Sequence, residues 1–163
     1  MNKKIALLNT SLEGGVAKST TSMGQIEAAR QAGKSVSITL LDKDHKELVR
    51  VYGSEVEEHD IREDRESIVN ILASDADVSV VDFPAASMEE MNKVFPDIND
   101  LLNSFAQFDR DPIFVVPLAT EKSLTTIKAL EKMLSPAQGG YQVHFNVMGH
   151  NFKDKQATIA YGE

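Results

Sequence analysis

The sequence contains no cysteine, and its apolar runs are short. Without cysteine the chain can form neither a disulfide nor a thiolate metal site, and its own thiols cannot hold an iron–sulfur cluster. No apolar run approaches the roughly 18 to 20 residues that a helix needs to cross a bilayer. These absences are typical of a cytoplasmic protein, and we expect no association with a membrane.

Positive charge is also scarce, because 17 Lys and Arg residues stand against 25 Asp and Glu residues. The formal net charge of −8 at pH 7 repels nucleic-acid phosphates at long range, which argues against direct DNA binding by the surface as a whole. The four histidines show no metal-binding spacing such as H-E-x-x-H. Ser104, Ser123 and Ser135 lie in no nucleophile-elbow sequence.

The order of the apolar segments predicts an α/β fold. A length of 163 residues suits one domain, so we treat 1–163 as a single unit in which 151–163 form a polar tail. Short apolar runs alternate with stretches of helical periodicity, which is the pattern of a mainly parallel sheet with helices on both faces. Five strands are predicted, at Lys4–Asn9, Ser35–Leu41, Val78–Asp82, Ile113–Val116 and Gln142–Val147.

Apolar stripes at helical spacing lie between these strands, and we interpret them as helix faces that pack on the core. They comprise Met23, Ile26 and Ala29; Ile68, Ile71 and Leu72; Ile98, Leu101, Leu102 and Phe105; and Leu124, Ile127, Leu130 and Leu134.

The stretch from Glu55 to Glu66 is instead dense in charge. If it is a helix, Glu58 and Arg62 lie at the i,i+4 spacing of an ion pair. We interpret this stretch as a solvated surface, with a partner-binding surface as the alternative.

The segment from Leu12 to Thr21 is rich in glycine and lies between the first predicted strand and the first predicted helix. A triphosphate needs many donors aimed at one point, and a tight glycine-rich turn lets successive backbone N–H groups supply them. The helix that follows adds its unpaired first-turn N–H groups and the positive end of its dipole. We therefore predict a phosphate-binding loop made of Gly14, Gly15, Val16, Ala17, Lys18, Ser19 and Thr20.

Three side chains of this loop have the chemistry that a nucleotide site requires. Lys18 can reach the terminal phosphates as a point charge, Ser19 can offer a hydroxyl to Mg²⁺, and Thr20 can offer another to the phosphates. The loop departs from the general pattern G-x-x-x-x-G-K-[ST], because Leu12 and Ala17 stand where its two glycines would be.

The loop resembles the deviant Walker A motif of the ParA/MinD family of ATPases, K-G-G-x-G-K-[ST]-[ST], in which the first glycine of the general pattern is commonly absent. Three further segments resemble the family in the same order. Val36–Asp44 is similar to its second strand, which ends in a D-x-D pair, and Val78–Ala85 to its Walker B strand. Ile113–Pro117, with the Ser-Leu helix that follows, resembles its next strand and helix. The resemblance covers roughly residues 3–148.

This resemblance implies a P-loop NTPase-like fold that binds ATP or ADP with Mg²⁺. It implies that Ser19, Asp42 and Asp82 form the metal site, and that Lys18 and Asp44 are catalytic, with Asp44 positioning or activating the attacking water. It further implies an ATP-dependent switch in plasmid or DNA partition or in intracellular positioning, with a nucleotide-dependent homodimer and a partition-type partner protein. The alternative for Asp42 and Asp44 is an ordinary strand-end turn with solvated carboxylates.

Two residues depart from the family pattern and predict weak hydrolysis of ATP, if any. Glu13 occupies the position of the signature lysine, which in relatives reaches the partner's phosphates across the dimer; a carboxylate there would repel them. Ala17 replaces a glycine, and its Cβ can crowd the turn or force an unfavourable backbone angle. Lys43 and Lys46 are candidate replacement cations, with solvated surface lysines as the alternative.

Two other functions stay open from the sequence. One is a degenerate, non-hydrolysing P-loop module that acts as a regulatory or scaffolding interaction protein. The other is a small-molecule kinase or synthetase, whose substrate pocket would lie near Pro84 to Asn92, with Glu89, Glu90 and Lys93 as its only charged anchors. The sequence determines neither the preferred base nor the partner.

Overall fold

A six-stranded parallel sheet forms the centre of the molecule. The computed structural model describes residues 3–12, 14, 17–42, 44, 46–63, 67–85, 87–118 and 123–147. The sheet has the order β3-β2-β4-β1-β5-β6, and every neighbouring pair is parallel. Its strands are β1 (Lys4–Ser11), β2 (Val36–Leu40), β3 (Val56–Glu58), β4 (Val78–Ala85), β5 (Arg110–Leu118) and β6 (Gln142–Val147).

Helices cover both faces of this sheet, which confirms the predicted fold class. They are α1 (Lys18–Gln31), α2 (Glu47–Tyr52), α3 (Ser67–Ala73), α4 (Ser87–Val94), α5 (Ile98–Gln107) and α6 (Ser123–Leu134), with a short 3₁₀ turn at Gly53–Glu55. On one face, Ile26 of α1 and Leu48 of α2 pack against Ile38 and Val80 of the sheet. On the other face, α3 to α6 form the larger cluster, which includes Phe105.

The predicted apolar stripe of α6 is wrong at its first position, because Leu124 is 41% exposed. Ser123 is buried in the first turn instead, where its hydroxyl donates to the carbonyl of Pro117 at 3.2 Å. Leu130 and Leu134 are buried as expected. A hydrogen bond back to the preceding strand, rather than an apolar contact, therefore fixes the start of this helix.

The sixth strand, β3, corrects the interpretation of the charged stretch. Val56–Glu58 is an edge strand that pairs with β2 in the register Ile38↔Val56, and it is followed by a turn at 61–63. Glu58 and Arg62 are therefore not on one helix. Glu57 and Glu58 are exposed, whereas Val56 packs on the α1–α2 side of the core. An edge strand with one apolar contact lacks the continuous apolar pattern by which buried strands are recognised.

The topology places the phosphate-binding loop at a switch point of the sheet. β1 lies between β4 and β5, and the chain leaves β1 towards β2 but leaves β4 towards β5 on the opposite side. In open parallel sheets, ligands bind outside the carboxyl ends of the strands where the strand order reverses in this way. The loop after β1 occupies that position.

The opposite, amino-terminal end of the sheet is held by a buried arginine. Arg110, the first residue of β5, is only 1% exposed. Its Nη1 donates to the Ile5 carbonyl at 3.1 Å and to Ser79 Oγ at 2.8 Å. Its Nη2 donates to the carbonyls of Ser74 and Ala76 at 2.6 and 3.3 Å. One guanidinium thus ties together β1, β4, β5 and the segment that leads into β4.

Candidate nucleotide-binding site

A cleft of about 300 Å³ opens at the carboxyl end of the sheet, directly over the start of α1. Every described residue of the predicted loop contributes to its wall, joined by Asp42, which follows β2, and by Asp82 within β4. The cleft is lined by Gly14, Ala17, Lys18, Ser19, Thr20, Leu40, Asp42, Glu47, Asp82, Phe83 and Ala85. The other two residues of the predicted loop, Gly15 and Val16, lie outside the described part of the chain, as does Glu13 before it.

Lys18 is the first residue of α1 and the cation of this cleft. Burial lowers the pKa of Lys18, and the nearby carboxylates of Asp82, Asp42 and Glu47 oppose that shift in this order. An ammonium group that is partly desolvated beside a helix N-terminus has lost hydration that an anionic ligand can replace. The position suits the predicted contact with a terminal phosphate.

Asp82 and Ser19 form the centre of the predicted metal site. Ser19 Oγ donates to Asp82 Oδ2 at 2.8 Å, and Asp82 is 2% exposed. Its other oxygen, Oδ1, is buried without a hydrogen-bond partner among the described residues. Burial raises the pKa of Asp82 to about 6, although the hydrogen bond from Ser19 and the charge of Lys18 lower it. A buried carboxylate with an unused oxygen beside a hydroxyl fits the hard oxygen coordination of Mg²⁺.

The structure separates the two aspartates of the D-x-D pair. Asp42 is 8% exposed and lines the cleft, and its Oδ1 accepts the backbone N–H of Asp44 at 3.1 Å. The side chain of Asp44 is 74% exposed, 3.8 Å from Nη1 of Arg62, and does not line the cleft. The metal and catalytic roles of the pair stay predictions, but only Asp42 faces the cleft in this structure.

Of the two lysines that flank this pair, only Lys46 is described, and it does not line the cleft. Lys46 is exposed and forms an ion pair with Glu58 of β3. This arrangement favours the interpretation of Lys46 as a surface lysine. Lys43 lies outside the described residues.

Ala17 has the backbone strain that its replacement of glycine suggested. It precedes α1 with φ 61° and ψ 31°, in the left-handed region. Its carbonyl accepts the N–H of Thr21 at 3.0 Å as the first hydrogen bond of the helix. An L-residue with a Cβ pays roughly 1 to 2 kcal/mol for this conformation, which glycine adopts without that cost. Ala17 therefore holds a conformation that glycine would adopt without strain, and α1 still begins directly after it.

Two hydrogen bonds anchor the ends of the loop to the rest of the fold. The N–H of Leu12 donates to Thr126 Oγ1 of α6 at 3.1 Å. At the other end, Asn146 Nδ2 of β6 donates to Thr21 Oγ1 at 3.1 Å. The loop is thus connected to both elements that follow β5.

Glu47 is a residue of the cleft wall that the sequence did not reveal. It is the first residue of α2 and lines the cleft opposite the loop. Acidic residues are common in the first turn of any helix because they complement its dipole, so the sequence alone gives Glu47 no distinctive signal. Phe83 and Ala85, which follow Asp82 in β4, complete this wall.

A second, wider groove of about 820 Å³ lies between α4, α5 and α6. Glu89 and Asn92 line it, but the only residue that it shares with the segment 12–21 is Leu12. Of the other two anchors considered for a kinase substrate, Lys93 Nζ donates to Glu90 at 2.7 Å on the same helix. Because the chemistry-bearing residues of the predicted loop lie in the smaller cleft, we assign the candidate site there.

Three solved structures have the same fold over nearly the whole chain. A Borrelia burgdorferi B31 protein assigned to plasmid partition and crystallised with AMPPNP matches 99% of this chain and 82% of its own, at 11% identity and a TM-score of 0.58. A plasmid partition protein from Borrelia burgdorferi matches 99% and 85%, at 12% identity and a TM-score of 0.59. FlhF complexed with GMPPNP and Mg²⁺ matches 99% and 62%, at 17% identity and a TM-score of 0.55.

These likenesses define the class of fold as that of the P-loop NTPases, as the sequence predicted. No protein-family model and no curated protein matches the sequence. The likeness at 11 to 17% identity is one of fold.

None of the helices in the described ranges is both long and apolar enough to cross a membrane.

Proposed function

We propose that this chain is a partition-type nucleotide switch that binds ATP or ADP together with Mg²⁺. The observation that carries the proposal is the convergence of Lys18, Ser19 and Asp82 in one cleft at the switch point of a P-loop fold. The likeness to plasmid partition proteins, one of them crystallised with AMPPNP, supports a role in partition or intracellular positioning. A nucleotide-dependent homodimer and a partition-type partner protein belong to this proposal.

In this proposal, different residues would bind the phosphates and the metal ion. Backbone N–H groups at the start of α1 and the Lys18 ammonium would hold the phosphates. Ser19 and Asp82 would hold Mg²⁺, with Asp42 in support, and the ion would offset the phosphate charge. The described residues contain no group of three or more His, Cys, Asp or Glu side chains placed to hold a metal. Phosphate and water oxygens would therefore have to complete the coordination.

Hydrolysis is expected to be weak. Asp44 would position the attacking water in the predicted mechanism, but its side chain is largely exposed and pairs with Arg62. This placement favours the second candidate, a non-hydrolysing P-loop module that uses nucleotide binding to regulate or scaffold a partner. Multiple turnover of ATP separates the two functions, since only the switch with a working cycle releases phosphate continuously.

Calorimetric titration with ADP and ATP in the presence of Mg²⁺ tests the site. We expect micromolar binding by the unmodified chain and at least a tenfold weaker affinity for Lys18→Ala, because a charged hydrogen bond to phosphate contributes about 1.5 to 3 kcal/mol. Lys34→Ala, an exposed residue just beyond the other end of α1, removes the same charge and should bind like the unmodified chain. No binding by a folded, unmodified chain, or equal losses in both variants, would overturn the proposal.

A further inference from the structure

Besides Asp42 and Asp82 of the proposed metal site, the cleft wall contains a third carboxylate, that of Glu47. Glu47 Oε2 is buried and has no hydrogen-bond partner among the described residues. Glu47 lies on the cleft wall at the start of α2, whereas Lys18 and Ser19 begin α1. A buried carboxylate oxygen without a donor is costly unless something else compensates for it.

The charges that line the cleft are unbalanced. Among its described lining residues, Asp42, Glu47 and Asp82 are acidic and Lys18 is the only base. With all four ionised, the lining carries two more negative than positive charges. A nucleoside di- or triphosphate is itself strongly anionic, so the cleft repels it unless a cation enters as well.

Glu47 acts on both groups that the proposed function assigns to nucleotide and metal. Burial dominates the pKa of Lys18, and the charges of Asp82, Asp42 and Glu47 raise it. Burial also dominates the raised pKa of Asp82, to which Asp42 and Glu47 contribute by repulsion. Glu47 is the smallest of the contributors named in both cases, so the inference depends chiefly on its place in the cleft wall and on its unpartnered buried oxygen.

We propose that Glu47 is a specificity-determining residue that restricts the cleft to nucleotide carrying a divalent cation. The inference rests on the proposed function, because it concerns the same site. Glu47 penalises the free polyphosphate and favours the metal complex, whose added positive charge faces three carboxylates. Asp44, which is exposed, cannot exert the same effect from its position.

The test compares ADP affinity in excess EDTA with ADP affinity in Mg²⁺. For the unmodified chain we expect clearly tighter binding with Mg²⁺. Glu47→Gln keeps the shape and removes the charge, so it should bind ADP in EDTA about tenfold more tightly, and the ratio of the two affinities should fall by about the same factor. Glu47→Asp keeps the charge and should retain most of the metal dependence.

Glu57→Gln is the matched control, since Glu57 is an exposed acid on β3 that does not line the cleft. The same loss of net charge there should leave the affinity ratio unchanged. Equal ratios in Glu47→Gln and the unmodified chain, or equal changes in the Glu47 and Glu57 variants, would overturn the role of Glu47. If those chains still require Lys18 for binding, the proposed function stands. Absence of ADP binding with Mg²⁺ would overturn both.

Discussion

The buried charged side chains at the two ends of the parallel sheet differ in how many hydrogen bonds they make. At the amino end, the Arg110 guanidinium makes four hydrogen bonds, three to backbone carbonyls and one to Ser79. At the carboxyl end, Asp82 is similarly buried, but its carboxylate accepts a single hydrogen bond in the described structure, from Ser19, and its Oδ1 has no partner there. Arg110 is thus hydrogen-bonded through both of its Nη atoms, although its Nε is buried without a partner among the described residues, whereas one whole oxygen of the Asp82 carboxylate has no donor there.

Backbone strain follows the same division. Among the described residues, each end has one non-glycine residue at positive φ, Ala17 before α1 and Asp109 before β5. Aspartate tolerates the left-handed region better than alanine because its short polar side chain can form local hydrogen bonds. The carboxyl end thus combines strain with uncompensated charge. Such a combination lowers stability, as is common at functional sites, and it supports the proposal that a cation and an anion bind together at this end.

The largest effect on stability is expected at the amino end of the sheet, where Arg110 makes four hydrogen bonds. Arg110→Met fills a similar volume but removes the Arg110 donors from three carbonyls and leaves the Ser79 hydroxyl with Ser37 Oγ alone as a donor, so the free energy of unfolding should fall by about 3 kcal/mol. Urea unfolding measures this loss. Arg110→Lys keeps a charge but not the planar fork and should lose less. A loss below about 1 kcal/mol for the methionine variant would mean that water replaces these hydrogen bonds.

The second prediction concerns Asp82 and has the opposite sign. Its folded-state pKa of about 6 lies above the ordinary value of 3.8, so ionisation of Asp82 opposes folding. The stability contribution of protonated Asp82 is fully present below about pH 4 and is lost as the pH rises through 6. In EDTA at pH 7.5, Asp82→Asn should therefore raise the free energy of unfolding by about 2 kcal/mol, while weakening Mg²⁺-dependent nucleotide binding.

Urea unfolding from pH 4 to pH 8, without metal, measures the difference between Asp82→Asn and the unmodified chain. The difference should grow between pH 4 and pH 6 and stay constant above about pH 7. Asp77→Asn is a useful contrast, because hydrogen bonds from Ser35 lower the pKa of this exposed carboxylate. Its pH dependence should have the reverse sign and lie mainly below about pH 4, because the stability that ionised Asp77 contributes is lost only as the pH falls below the ordinary value of 3.8; for this variant the unfolding series is therefore extended below pH 4. A pH-independent difference for the Asp82 variant would contradict the effect of burial on that carboxylate.

The sequence predicted most of the fold because buried parallel strands are almost uniformly apolar, as in Val78–Asp82. It missed β3, whose glutamates are exposed at the sheet edge and leave only Val56 as an apolar signal. It also missed Arg110, because an arginine near the start of a strand is typical of the surface unless the acceptors around it are known.

The part of the candidate site that lies in one continuous segment of the chain could be predicted from the sequence. A strand, a glycine-rich loop and a helix place Lys18 and Ser19 together in any P-loop fold, and the hydroxyl of Ser19 does reach Asp82. The position of Asp44 outside the cleft and of Glu47 on its wall depends on how the chain turns between β2 and α2. That turn has no periodicity from which side-chain directions could be inferred.

The smallest effect is expected at Ala17, whose Cβ makes the left-handed backbone conformation of this residue unfavourable. Ala17→Gly removes the left-handed penalty but gains chain entropy in the unfolded state, so a net stabilisation of about 1 kcal/mol is expected. Ala28→Gly is the matched control, because Ala28 is an exposed alanine in the last turn of α1 with an ordinary helical backbone and the same change there should destabilise by about 0.5 kcal/mol. Thermal unfolding of the two variants should therefore shift in opposite directions. If both destabilise, the strain at Ala17 is too small to distinguish the two ends of the sheet, and their difference rests on the uncompensated charge of Asp82 alone.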